Sequence, residues 1–384
     1  MPDSDPRSQI SQLVAAERWR QWQKLVLIPS ESICRPEVAD VLASPFTNIY
    51  AEGQPEPPLM HDPRDGAADA ARFASWQTRL ADGRYYRGCV NANRAELLAH
   101  KFIAECFAEL DDSPPADAIG VCVQALSGAP ANTAVYEALL EHDDTILALD
   151  LAHGGHLTHG SEFNYSGKTY HVVSYGIDPA TRRLDYDRIR ELALEHQPRL
   201  IIGGASSYPW DFDWAALRRI ADEVGAFVLA DIAHLAGMVA AGRLNNPLPH
   251  AHVLTFTTHK TLCGPRGAVI LSTYPDLAKR IKAGVFPGLQ GGPHIHTIAA
   301  VARLFEIIQN DRDEFVRLQQ AILDNTAYLA ECLEAEGFTL EYRGTNTHML
   351  LIDLKPFDEH PNPGIPVDGE IASRLLEIAG IVCN

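Results

Sequence analysis

The sequence lacks the features that mark several large classes of protein. No apolar run among its 384 residues approaches the roughly 20 that a membrane-spanning helix needs, and the amino-terminal stretch has no signal-peptide core. Lysine and arginine form no clusters, and they number 32 against 50 aspartates and glutamates, which gives a formal net charge of −18. Because binding to nucleic acid needs clustered positive charge, this composition argues against it. We expect a cytoplasmic protein with neither nucleic-acid nor membrane partners.

A pair of cysteines at CxxC spacing is also missing, so the sequence indicates neither a zinc ribbon nor a redox dithiol. An odd, scattered set of cysteines is typical of a reducing compartment. The seven cysteines are Cys34, Cys89, Cys106, Cys122, Cys263, Cys332 and Cys383.

What is present is the composition of a globular protein, with 46% apolar and 21% charged residues. Residues 8–24 have the apolar spacing of a helix. From about residue 118, β-rich runs such as LIIGGA, AFVLADI and VLTFTT alternate with amphipathic segments such as DRIRELALEH and AALRRIADEV. This alternation predicts an α/β fold, with a mainly parallel sheet covered by helices on both faces. Ligands of such sheets bind beyond the carboxyl ends of the strands.

The length predicts more than one domain. We expect an amino-terminal helical segment at 1–47, a large domain at 48–297 with an insertion at about 56–83, and a small domain at 298–384. The final run, IVCN, has the composition of a strand, and no further elements follow it to supply a partner. The small domain is therefore expected to be incomplete.

Lys260 follows the apolar run VLTFTTH, where a buried strand is expected to end at the ligand-binding edge. Poor solvation lowers the pKa of an amine and makes it nucleophilic, as a Schiff base with a carbonyl cofactor requires. The alternative is a surface lysine that leaves a strand for solvent. Asp231 ends the run AFVLAD, and its carboxylate could pair with a protonated pyridine nitrogen at the same edge. It could equally cap the following helix.

The turn LSGAPAN leads from a predicted strand into a predicted helix. The backbone amides around Ser127 and Gly128 could bind a phosphate group there, helped by the helix dipole. Further along, His153, His156 and His159 recur every third residue, a spacing that raises the possibility of zinc. We expect no metal, because the stretch has no acidic or thiolate partner and its glycines interrupt any helix. An imidazole stacked on a cofactor ring is the preferred interpretation.

Together with other stretches, these motifs resemble the serine hydroxymethyltransferases, a family of fold-type I pyridoxal-phosphate enzymes. The resemblance runs across nearly the whole chain. It rests on LIPSES, NIYAEG, RYYRGC, SGAPAN, LAHGGHLTHGS, ADIAHLAG, TFTTHKTLCGPRG and VFPGLQGGP. It implies a mainly parallel sheet of the seven-stranded type and a smaller α+β carboxyl-terminal domain.

The resemblance also implies roles for individual residues. Lys260 would hold pyridoxal 5′-phosphate as a Schiff base, Asp231 would pair with its ring nitrogen and His156 would stack on the ring. The implied cofactor-binding set is Ser127, Gly128, His156, Ser206, Asp231, His234, His259, Lys260, Gly291 and Gly292. The implied catalytic residues are Lys260, Glu52, His156, Asp231 and Thr257. Substrate binding would involve Ser30, Tyr50, Glu52, Tyr86 and Arg266.

Active sites of the family lie between subunits, so the resemblance implies a homodimer, which could pair again into a tetramer. The partner chain would supply Gly291, Gly292, Tyr50, Glu52 and Tyr86. Glu52 would be the acid–base group, since a carboxyl kept neutral by burial can donate a proton. Without the resemblance, a surface glutamate is the simpler interpretation.

The implied reaction interconverts serine and glycine, and it transfers the one-carbon unit to tetrahydrofolate. Tyr85, Tyr86, Leu151 and Leu157 would flank this cosubstrate. Three departures from the family pattern bear on the reaction. The segment 56–83 separates YAEG from RYYRGC, Ala129 and Pro130 replace a polar pair in the phosphate turn, and the family's carboxylate-binding arginine in a GIR motif does not occur before Asn384.

Two other functions stay open at this point. The first is a folate-independent threonine aldolase or transaldolase that uses the same cofactor, which the insertion favours slightly. The second is a non-catalytic relative that binds the cofactor without turnover, because function depends on the assembled site and not on the fold.

Overall fold

The structure is a computed structural model that describes residues 8–55, 83–357 and 367–384. The predicted insertion lies outside these ranges except for its last residue, Gly83. In the described ranges, no helix is both long and apolar enough to cross a membrane.

A seven-stranded sheet forms the centre of the molecule. Its strand order is β2-β8-β7-β6-β5-β3-β4, and every pairing is parallel except those of β8, which runs antiparallel to both neighbours. The predicted α/β fold is therefore confirmed. The strands are β2 Gly120–Cys122, β3 Thr145–Leu149, β4 His171–Tyr175, β5 Leu200–Gly204, β6 Phe227–Asp231, β7 Val253–Thr257 and β8 Ala268–Ser272.

Helices cover both faces of this sheet, as predicted. In β5, Leu200 and Ile202 pack into one apolar cluster while Ile201 packs into the other, because successive side chains of a strand point to opposite faces. The helices are α1 Gln9–Gln23, α2 Pro36–Leu42, α3 Val90–Ala108, α4 Gly128–Leu139, α5 Tyr165–Thr169, α6 Tyr186–His196, α7 Trp214–Val224, α8 Ala236–Ala240, α9 Pro275–Ala283, α10 Ile295–Asn310, α11 Arg312–Ala335 and α12 Gly369–Ile378.

Helix α4 lies on the face to which Leu200 and Ile202 point, and it supplies Val135, Tyr136 and Leu139 to the apolar cluster there. Helix α3 lies on the other face, where Ile103 and Phe107 are fully buried. The central strands are thus enclosed on both sides. Only the loops at the strand ends can present polar side chains to a ligand.

The last predicted strand does have a partner, at the other end of the chain. Strand β11, Ile381–Val382, pairs in parallel with β1, Leu25–Val26. No local pattern indicated β1, because two residues are too few for a periodic pattern. A second small sheet pairs β9, Thr339–Leu340, with β10, Ile352–Asp353. The division into domains at residues 47 and 297 stays a prediction.

Helix α1 matches the predicted helix at 8–24. The Ser8 hydroxyl caps it by accepting a hydrogen bond from the amide of Ser11 at 3.3 Å. No residue of α1 is buried, and its large apolar side chains are exposed. These side chains are Ile10, Leu13, Val14, Trp19 and Trp22.

Candidate active site

Lys260 lies in the turn that follows β7, at the carboxyl end of the strand, as predicted. The turn is closed by hydrogen bonds from the amide of Cys263 to the Lys260 carbonyl, at 2.9 Å, and from the amide of Gly264 to the Thr258 carbonyl, at 2.8 Å. Burial lowers the pKa of the Lys260 amine, which the charge of Asp231 partly opposes. A larger fraction of this amine is therefore neutral and nucleophilic than in a surface lysine.

Asp231 ends β6, which lies between β5 and β7 in the sheet. Its carboxylate accepts hydrogen bonds at both oxygens. His159 Nε2 and Asn132 Nδ2 lie 2.9 and 2.8 Å from Oδ2, and the amide of Ala233 lies 3.0 Å from Oδ1. Burial by itself would raise the pKa of Asp231, but the bonds from His159 and Asn132 hold it well below its ordinary value. The site therefore contains a buried carboxylate whose hydrogen bonds favour the ionised form.

His156 is oriented through Thr158. The backbone amide of Thr158 donates to His156 Nδ1 at 3.2 Å, so Nδ1 is an acceptor and the ring proton is on Nε2. The Thr158 hydroxyl lies 2.7 Å from the same nitrogen and accepts a bond from Asn132 Nδ2 at 2.9 Å. Burial lowers the pKa of His156. The ring is therefore neutral, with a fixed tautomer.

His234 and His348 form a second pair of imidazoles. Their Nδ1 and Nε2 atoms lie 3.2 Å apart, and their rings stack at 5.4 Å with an angle of 26°. Burial holds the pKa of His234 well below its ordinary value, and nearby Lys260 acts in the same direction. Ser206, which the resemblance places in the cofactor-binding set, donates its hydroxyl to the carbonyl of Gly155 at 2.8 Å.

The turn LSGAPAN leads into helix α4, as predicted. Ser127 is the amino-terminal cap of α4, and its side chain makes no capping bond to the helix. Gly128 begins the helix so close to β7 that an added Cβ would lie 2.9 Å from Thr257 Cγ2. His259 adds a buried Nδ1 that has no hydrogen-bond partner among the described residues. Burial, and then the charges of Arg266 and Lys260, lower the pKa of His259 to about 4.

A separate cluster contains the residues that were expected to act in the partner subunit. Tyr50 Oη lies 3.3 Å from Glu52 Oε1, and the rings of Tyr50 and Tyr86 lie 4.8 Å apart. A Cβ added to Gly291 would lie 3.2 Å from Glu52 Oε1, and one added to Gly292 would lie 3.0 Å from Tyr50 Cζ. Within the part of the chain that the structure describes, no hydrogen bond or ring contact joins this cluster to Lys260 or Asp231.

Most of the other predicted residues lie in turns and short 3-10 helices, while Thr257 ends β7. Tyr85, Leu151 and Leu157 expose large parts of their side chains. Thr257 Oγ1 donates to the carbonyl of Ala233 at 3.1 Å. Ser30 lies in a half-buried turn, and Arg266 is exposed.

Three residues of the site received no role in the sequence-based prediction. Asn132 and His159 both lie inside motifs that the sequence offered, SGAPAN and LTHG, so the motifs were a usable indication. His348 had none, because it comes close to His234 only through folding over 114 positions of sequence separation.

The arrangement fits pyridoxal 5′-phosphate. Lys260 supplies the amine, Asp231 the anionic partner for a ring nitrogen, and the start of α4 the amides and positive dipole end for a phosphate. His259 Nδ1, which has no hydrogen-bond partner within the described ranges, supplies a further polar atom.

Comparison with known proteins gives consistent matches. The family model described as serine hydroxymethyltransferase matches residues 2–58 and 77–384, and the gap lies within the predicted insertion. The serine hydroxymethyltransferase of Pseudoalteromonas atlantica is 44% identical over 385 residues, which cover 100% of this chain and 81% of that protein. The serine hydroxymethyltransferase of Rhodospirillum centenum is 42% identical over 384 residues, which cover 100% of this chain and 79% of that protein.

Proposed function

Because the chain belongs to the serine hydroxymethyltransferase family, we propose that Lys260 is the residue on which it holds pyridoxal 5′-phosphate. The chain is a pyridoxal-phosphate-dependent transferase that interconverts L-serine and glycine, with tetrahydrofolate as the one-carbon acceptor. The observation that carries the proposal for Lys260 is the lowered pKa of an amine at the end of β7, within electrostatic reach of Asp231.

When bound, the cofactor supplies an electron sink for the carbanion formed at the amino-acid substrate. Asp231 would serve this chemistry by staying ionised, because a carboxylate that already accepts three hydrogen bonds cannot readily take up a proton. Its charge would hold a proton on the ring nitrogen through a charge-assisted hydrogen bond. His159 and Asn132 keep this carboxylate in place.

The phosphate group would be bound by Ser127, Gly128 and His259. The Ser127 hydroxyl, which makes no capping bond, and the first amides of α4 lie at the amino-terminal end of a helix, where an anion is stabilised. Gly291 and Gly292 would complete this site from the partner chain. Pro130 in the first turn has no amide hydrogen, and Ala129 has no hydroxyl, so backbone donors carry more of the binding than in the family's SGSQAN turn.

The ring would lie between His156 and the strands of the sheet. His156 is neutral and presents a flat face for stacking, since its Nδ1 is occupied by the amide of Thr158. His234 and Ser206 would lie near the phenolic oxygen. Thr257 and Arg266 would line the space where the substrate reacts, with Ser30 among the substrate contacts.

Glu52 would exchange a proton with the substrate hydroxyl, with Tyr50 and Tyr86 beside it. These residues form one cluster with Gly291 and Gly292, separate from Lys260, and this separation supports a homodimer in which each cluster completes the partner's site. The dimer could pair further into a tetramer. We also propose that Tyr85, Leu151 and Leu157 contact the folate, as exposed apolar side chains suit a flat pterin or aminobenzoyl group, and that the enzyme is cytoplasmic.

The test of the Lys260 assignment is reduction of the cofactor-loaded protein with borohydride, followed by peptide mass spectrometry. We expect the reduced adduct on the peptide that contains Lys260, and we expect none in Lys260→Ala. Lys279→Ala, which removes an exposed lysine of α9, is the matched control and should label like the parent. An equal yield of adduct in Lys260→Ala would overturn the assignment.

A further inference from the structure

Arg84 is a buried arginine whose guanidinium bonds several residues at once. Its exposed fraction is 1%. Nε donates to Asn93 Oδ1 at 2.8 Å, and Nη2 pairs with the buried carboxylate of Glu96. Nη1 donates to the backbone carbonyls of Ala51 and Gly53 at 2.7 and 2.6 Å. One side chain therefore joins the start of α3 to the loop around residue 52.

The two carbonyls that Arg84 binds lie on either side of Glu52. The backbone of Glu52 is fixed as well, because its carbonyl accepts a hydrogen bond from the amide of Tyr85 at 3.0 Å. Gly53 and Arg84 face each other in an antiparallel bridge. The position of the Glu52 carboxyl, 3.3 Å from Tyr50 Oη, thus depends on residues 84 and 85.

The same network extends to the two glycines of the cluster. Gln124 Nε2 donates to Glu96 Oε1 at 2.8 Å and to the Gly53 carbonyl at 2.9 Å. The Gln124 carbonyl in turn accepts a bond from Gln290 Nε2 at 2.8 Å, and Gln290 precedes Gly291. Arg84 is therefore connected both to the loop that carries Glu52 and to the glycines packed against it.

A buried ion pair is by itself a weak source of stability, because removing two charges from water offsets much of their attraction. What arginine adds is geometry, since its planar fork places several donors at fixed angles, which lysine cannot do. We propose that Arg84 is a positioning residue for Glu52. It fixes the backbone on both sides of Glu52, and thereby the site of proton exchange with the substrate hydroxyl, without touching the substrate. The inference rests on the proposed role of Glu52.

The test compares Arg84→Lys, Glu52→Gln and the double variant. Lysine keeps the positive charge for Glu96 but cannot bond both carbonyls and Asn93 together. We expect kcat for serine cleavage to fall about 10- to 100-fold in Arg84→Lys, with KM within about 3-fold, since misplacing a catalytic group acts on the chemical step. In the Glu52→Gln background the same change should have less than about a 2-fold effect, because residues that act through one another are not additive.

The matched control is Arg183→Lys. Arg183 also donates to a backbone carbonyl, that of Tyr342 at 2.8 Å, and it lies over the ring of Trp210. Among the residues that the structure describes, it makes no hydrogen bond or ring contact with the Glu52 cluster, so kcat should stay within about 2-fold of the parent.

A second readout needs no turnover. Hydrogen exchange in the cofactor-free protein should be faster in Arg84→Lys for the peptides that cover residues 48–55 and 83–89, with the strands of the central sheet unchanged. If Arg84→Lys does not fold, Arg84→Met/Glu96→Gln removes both buried charges and carries the same predictions. The inference would be overturned if Arg84→Lys lowered kcat by the same factor with glutamate and with glutamine at position 52. Unchanged hydrogen exchange in these peptides would overturn it as well. Failure of the proposed function is distinguishable, because the parent itself would then lack serine cleavage or the adduct on Lys260.

Discussion

His234 Nδ1 and His348 Nε2 lie 3.2 Å apart in the interior, with the two rings stacked at 5.4 Å. Burial lowers the pKa of both rings, so both are neutral and a single proton lies between the two nitrogens. His348 lies in the segment between β9 and β10, and it contacts His234, the histidine that we place next to the cofactor. The first two predictions concern this pair.

We expect His348→Phe to destabilise the cofactor-free protein by about 1–3 kcal/mol, because His234 Nδ1 would be buried without a partner. The measurement is the free energy of unfolding from urea denaturation. His142→Phe changes an exposed histidine and should stay within about 0.5 kcal/mol of the parent. A stability loss in His348→Phe no larger than this control would show that the contact contributes nothing.

His348 should also make stability depend on pH. Burial and then Lys260 lower the pKa of His348 to about 4 in the folded chain, against an ordinary 6.5. Between these values the unfolded chain binds a proton that the folded chain does not, so this contribution is complete above pH 6.5 and is lost as the pH falls toward 4. In His348→Asn, the drop in the free energy of unfolding from pH 7 to pH 5 should be smaller than in the parent by about 2 kcal/mol. The same drop in both proteins would show that folding does not lower the pKa of His348.

His159 should control how strongly the protein binds its cofactor, through Asp231. His159→Phe removes a hydrogen bond to the buried carboxylate, so the pKa of Asp231 should rise and its charge should be held less firmly. We expect the dissociation constant of pyridoxal phosphate to increase about 10-fold or more, measured by absorbance titration. His153→Phe, in the same loop but outside the contacts of Asp231, is the control and should bind normally.

Gly128 should be required for its small size and not for its backbone angles. An added Cβ would lie 2.9 Å from Thr257 Cγ2, so Gly128→Ala should displace the start of α4 and weaken cofactor binding about 10-fold. Gly128→Ala/Thr257→Ser removes the opposing methyl group and should recover most of the affinity. If the second change gives no recovery, the loss arises from something other than this contact.

The segment between Pro55 and Gly83 should be replaceable by a turn of about four residues. Its two ends already meet, because Gly53 and Arg84 are bridged and the Tyr85 amide bonds the Glu52 carbonyl at 3.0 Å. Closing a shorter loop costs less chain entropy, by about 2 kcal/mol, so thermal stability should be equal or higher.

Serine cleavage by the shortened chain, with and without tetrahydrofolate, completes the measurement. We expect both activities to be retained. Loss of the folate-dependent reaction alone would instead place the segment at the folate site.

Much of the fold and the centre of the site could be predicted from the sequence, since they depend on local patterns. The runs that became β3, β5, β6 and β7 were recognisable because consecutive apolar residues at helix-length intervals specify a buried parallel sheet. The run that became β8 was recognisable as a further apolar run, although β8 is antiparallel to both neighbours. Strand β4, HVVSY, was not recognised, because its aliphatic run is only two residues long and its side chains are less buried. Strand β1 was missed because it is defined by its pairing with β11 and not by its own two residues.

The sequence by itself determined which residues we propose for the chemistry, because Asp231 ends an apolar run, Lys260 follows another, and such runs in a parallel sheet open at the same edge. The tertiary structure alone decided which other side chains contact the residues of the proposed site. Asn132 reaches Asp231 across 99 positions and His348 reaches His234 across 114. Such contacts depend on the strand order and on the paths of the loops, and no local pattern of residues encodes either.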